Sequence, residues 1–65
     1  MDSRYAGMTT NERLFEAGLL DAFDRAARAR DREEMTRLLK ATELPSSEAA
    51  RIVESVLANP TRYGF

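Results

Sequence analysis

The chain has 65 residues, room for one domain, and a chain this short buries only about 60% of the surface its unfolded form exposes. It contains neither Cys nor His, which excludes disulfides, thiolate or imidazole metal sites, and cysteine or histidine nucleophile chemistry. A formal net charge of −1 gives no bulk attraction for nucleic acid or an anionic membrane, and 43% hydrophobic against 32% charged residues is a globular balance.

Residues 1–8 show no periodicity and include Gly7, so a flexible leader is expected ahead of a single helical domain over 9–65. No basic segment followed by an apolar stretch stands at the start, and no apolar run approaches the ~18 residues that a spanning helix needs. A cytoplasmic protein that makes no membrane contact is the expectation.

Thr9-x-x-Glu12 has the form of a capping box, in which hydroxyl and carboxylate each satisfy a backbone N–H that the first turn leaves without a partner. From there the spacing predicts a first helix over 10–29. Phe15, Leu19, Ala22, Phe23 and Ala26 draw one apolar stripe, which Leu14, Leu20 and Ala27 widen. Gly18 interrupts this segment and costs about 1 kcal/mol relative to Ala in a helix interior. It marks a close crossing, a kink or a break. One long helix is the reading favoured here.

Asp31-x-x-Glu34 is the acidic counterpart of the capping box, and Glu33 and Glu34 suit the positive end of a helix dipole. Met35, Leu38, Leu39 and Thr42 follow at i, i+3, i+4 and i+7, which predicts a second helix over 32–42 that closes at Leu44-Pro45. Ser46 is expected to cap a third helix over 46–58, where Ala49, Ile52, Val53, Val56 and Leu57 give the cleanest amphipathic pattern. Pro60 stops it. The fold class is therefore all-α, a small three-helix bundle. Two of the five aromatic residues, Tyr63 and Phe65, fall in the last three positions, and an ordered aromatic tail covering the helix ends is expected.

Catalysis would have to come from the eleven acidic residues, and these have a simpler use on helix surfaces. Asp21 with Arg25, Asp24 with Arg28 and Glu33 with Arg37 are i, i+4 pairs in the favourable order, and Arg51 lies three residues from both Glu48 and Glu54. The three glycines are scattered singly, so no phosphate-cradling loop or cofactor fingerprint is present. No enzyme, cofactor or metal site is expected.

Two binding classes remain. An apolar first helix on so small a domain leaves surface that two short helices only partly cover, which points to a protein–protein interaction module: an adaptor, regulator or inhibitor contacting another protein or itself as a homodimer. Leu14, Phe15, Leu20 and Phe23 are the expected contact residues, with Tyr63 and Phe65 as secondary ones. The alternative is nucleic-acid binding through Arg25, Arg28, Arg30, Arg32 and Arg37. These lie in a stretch from Arg25 to Lys40 that carries six cations against three carboxylates. Against it, the last helix of a DNA-reading arrangement would present Glu48 and Glu54 with only Arg51 basic.

Overall fold

A computed structural model describes residues 5–61, and Tyr63 and Phe65 of the expected tail lie outside the described residues. The described chain is all helical: α1 (Thr10–Glu16), α2 (Leu20–Arg28), α3 (Arg32–Lys40) and α4 (Ser46–Ala58). α3 is central, packed against α1, α2 and α4.

The single long first helix expected from the spacing is two helices, and the chain between them turns sharply. Ala17 caps α1, Gly18 stands in the left-handed region with φ +73°, and two backbone bonds close the end. The Gly18 N–H donates to the Phe15 carbonyl at 3.0 Å and the Leu19 N–H to the Leu14 carbonyl at 2.8 Å. This is the six-to-one and five-to-two pair of a Schellman end, and Leu19 packs against the core cluster that contains Leu14. The physical reason for the break lies in helix geometry. At 3.6 residues per turn, Leu14 and Phe23, about two and a half turns apart, would face opposite sides of a continuous helix. Both are buried, at 0% and 4% exposure, which a straight helix packed on one side does not allow. The turn at Gly18 reverses the inward face, from Leu14 on α1 to Phe23, Ala26 and Ala27 on α2.

The same device ends α2. Arg30 takes the left-handed position with φ +56°, its N–H donates to the Ala27 carbonyl at 3.1 Å, and the Asp31 N–H donates to the Ala26 carbonyl at 2.9 Å. Asp31 at once caps α3, accepting the Glu34 N–H at 3.1 Å. The Glu34 side chain does not return to complete a box; it binds Arg37 instead. At α1 the box is complete: Thr9 Oγ1 accepts the Glu12 N–H at 3.2 Å and Glu12 Oε1 accepts the Thr9 N–H at 2.8 Å. Ser46 is not a cap. It is the first residue of α4, and Pro45, with φ −61° and ψ 154°, holds the cap position without a side-chain bond. A proline there loses nothing, because the first N–H groups of a helix have no intrahelical acceptor.

The core is Leu14, Phe23, Ala26, Ala27, Met35, Leu38, Leu39, Ala49, Val53 and Val56, flanked by Leu19, Ala22, Leu44, Ile52 and Leu57. Ala26, Ala27 and Ala49 let the helix backbones approach where larger side chains would hold them apart. One polar side chain is fully buried among the described residues, that of Thr42, and its hydroxyl donates to the Leu39 carbonyl at 2.6 Å. Arg13 ties α1 across the bundle by donating to the Thr42 carbonyl at 2.8 Å. Its guanidinium also lies 5.9 Å from the ring centre of Tyr5. Tyr5, within the expected leader, is 6% exposed and begins a turn closed by the Met8 N–H to its carbonyl at 3.1 Å; residues 1–4 lie outside the described residues.

Candidate functional site

The reversal at Gly18 has a direct surface consequence. On α1 the inward positions are Thr10, Arg13, Leu14 and Ala17, so Asn11, Glu12, Phe15 and Glu16 form the outward face. Phe15 is 74% exposed, although it shares the apolar stripe of the sequence with Phe23 and Ala26, which are buried. Leu20, the first residue of α2, is 37% exposed, and these two are the exposed large hydrophobics of the described chain. They meet at the corner where α1 gives way to α2. With Met8, Asn11, Glu12 and Glu16 they line a shallow groove of about 370 Å³.

The four apolar residues expected to make partner contacts therefore separate into two pairs. Phe15 and Leu20 reach this surface. Leu14 and Phe23 lie in the core and have no face to offer a partner. Met8 joins the groove although the stripe that singles out Phe15 does not reach it. Met8 precedes the Thr9 cap of α1, so helical spacing carries no signal for it; the turn that begins at Tyr5 brings it there.

The groove's ionisable groups are both carboxylates, Glu12 and Glu16. Glu12 is held in place by the capping box, so its position is set by the helix end.

The basic residues distribute differently from the sequence expectation. Arg28 pairs with Asp24 at 3.0 Å, as the i, i+4 spacing implies. Arg37 pairs with Glu34 and not with Glu33: its Nε and Nη2 reach the two carboxylate oxygens at 2.8 and 2.5 Å, a bidentate fork. Glu34 is held below the ordinary carboxylate range, chiefly by those hydrogen bonds, which outweigh an opposing desolvation, with the guanidinium charge adding a smaller lowering. Arg32 pairs with Glu54, joining the start of α3 to α4. Glu48, and not Glu54, pairs with Arg51, at 2.6 Å. Arg30 points its guanidinium at the Leu57 carbonyl, 3.5 Å away near the end of α4, where a cation also meets the negative end of the helix dipole. Asp21 makes no ion pair with Arg25 among the described residues.

The outer face of α3 carries a second shallow depression, about 450 Å³, lined by Arg32, Glu33, Thr36, Arg37 and Lys40. The structure brings Arg32 and Arg37 together there with Lys40, while Arg25 and Arg28 belong to α2. Of the five arginines that would serve a nucleic-acid surface, three hold a carboxylate of this chain and one holds a helix-end carbonyl. Among the described residues no group of three or more carboxylates is arranged to hold a metal ion, and no helix is long and apolar enough to cross a membrane.

Compared with protein-family models, with curated proteins and with solved structures, the chain matches none.

Proposed function

We propose that this protein is a non-enzymatic interaction module, a small adaptor, regulator or inhibitor in the cytoplasm, that contacts its partner through the corner between α1 and α2. The observation that carries the reading is the exposure of Phe15, at 74%, beside Leu20 and Met8 on a domain with few large apolar side chains. Leaving an aromatic side chain in water forgoes about 1.5–3 kcal/mol that its burial would contribute, so contact with another surface is the use that recovers it. The nucleic-acid alternative has less support, because most of its arginines already hold partners within the chain and phosphates would have to displace them.

Site-specific photo-crosslinking in cells tests the reading. A benzophenone side chain at position 15 is expected to give a discrete adduct, whose mass separates a second copy from another protein. The same group at Ala50, exposed on α4, is expected to give none. Equal labelling from both positions, or no adduct from position 15, refutes the proposal.

A further inference from the structure

We infer that the segment from Tyr5 to Met8 is a latch on α1. Seated, it fixes this short helix on α3 with Phe15 outward; released, it lets α1 leave while α2, α3 and α4 stay packed. The latch stands on contacts within the chain, and its control over partner contact rests on the docking role proposed for Phe15 and Leu20.

α1 is the shortest of the four helices, seven residues or about two turns. A helix of that length is marginal in water, so its form depends on what it packs against. Its buried residue is Leu14. A second hold is Arg13, which donates to the Thr42 carbonyl at 2.8 Å, just past the end of α3. The third comes from ahead of the helix. Tyr5 is 6% exposed, and its ring centre lies 5.9 Å from the same Arg13 guanidinium. A ring at that distance attracts the cation and takes one of its faces out of water. Ring, guanidinium and carbonyl thus close the seam between α1 and α3 in sequence.

The backbone that delivers Tyr5 is a four-residue turn, closed by the Met8 N–H donating to the Tyr5 carbonyl at 3.1 Å. Gly7 holds its third position with φ +79°, an angle glycine adopts without strain. The last residue of the turn, Met8, lines the groove beside Phe15 and Leu20. One end of the segment therefore locks α1, and the other end is part of the contact surface. A partner that grips this groove binds the seated form alone and holds the latch shut.

Amide hydrogen exchange followed by NMR on the full chain tests the latch without a partner. Tyr5→Ala should speed exchange at Arg13, Ala17 and Leu19, whose N–H groups bond within and at the ends of α1, at least tenfold more than at amides of α3 and α4. Gly7→Ala is the milder variant. A Cβ there meets nothing within 4 Å, so it acts through the backbone angle and leaves Tyr5 and Arg13 in place. It should give the same pattern, several-fold in size. Equal acceleration in all helices, or none in α1, overturns the latch. In cells, the photo-adduct from position 15, measured per molecule of protein, should fall in both variants. An adduct undiminished although α1 exchange has risen overturns the control of the corner. No adduct from the parent chain refutes the docking role instead, and the exchange result then decides the latch by itself.

Discussion

Replacing Gly18 by Ala reverses the sign of an ordinary helix substitution. In a continuous first helix the change would stabilise by about 1 kcal/mol, the difference in helix propensity between the two residues. In the structure Gly18 sits at φ +73°, where an L-residue pays roughly 1–2 kcal/mol for the left-handed conformation. A Cβ built there meets nothing within 4 Å, so no steric clash adds to that cost. Against it stands a gain of about 0.4–1 kcal/mol from the smaller entropy of the unfolded alanine chain. The net expectation is a loss of about 1 kcal/mol. For a domain of this size that is a fall of about 4–8 °C in melting temperature.

Circular-dichroism melts and urea titrations read the effect, and chemical synthesis provides the decisive control. D-Ala at position 18 favours the left-handed angles and should raise the melting temperature above that of the natural chain. Arg30→Gly is the converse at the end of α2: it relieves the same strain at φ +56° and gives up one long contact to the Leu57 carbonyl. A gain of up to about 1 kcal/mol is expected from it. A rise in stability and helicity with Gly18→Ala would refute the broken-helix account and with it the outward placement of Phe15.

Two further outcomes follow from burial and charge. Leu14→Ala, at a fully buried position, should cost about 2–5 kcal/mol, enough to unfold much of so small a domain, whereas Phe15→Ser one residue on should stay within about 0.5 kcal/mol of the parent in a urea titration. Equal losses at the two positions would mean that α1 is rotated from the orientation described. The Glu34–Arg37 fork gives a pH dependence of defined sign. Because Glu34 is held below its ordinary value in the folded state, its contribution is complete above the unfolded carboxylate range and disappears as pH falls through the lowered folded value. Melting temperatures of the parent and of Arg37→Gln should therefore differ near neutral pH and converge in acid. A gap that widens on acidification would contradict the assignment.

Signals confined to a few neighbouring residues are legible in the sequence itself. The Thr9–Glu12 box, the Asp31 cap and the inward faces of α3 and α4 all follow from spacing, because caps and periodicity depend on backbone groups within one or two turns. The i, i+4 rule picks out Asp24–Arg28 correctly but favours Glu33 over Glu34 for Arg37. Both acids lie within reach along the helix, and the bidentate geometry at i+3 prevails. The Arg32–Glu54 pair, twenty-two residues apart, has no local signature at all.

The division is sharpest at Leu14 and Phe15. Both are large, apolar and adjacent, and the sequence pattern places both among the expected contact residues without separating them. Burial of both Leu14 and Phe23 needs a chain reversal between them, and Gly18 permits it without requiring it. Docking against α3 is what sets the choice, since α1 must present Leu14 to the same core that α2 fills with Phe23, Ala26 and Ala27. Composition and pattern thus specify helices, caps and a one-domain core, because those depend on local energies. Which aromatic residue meets water depends on how one short helix is turned against its neighbours, and that outward turn places Phe15 at the proposed contact surface.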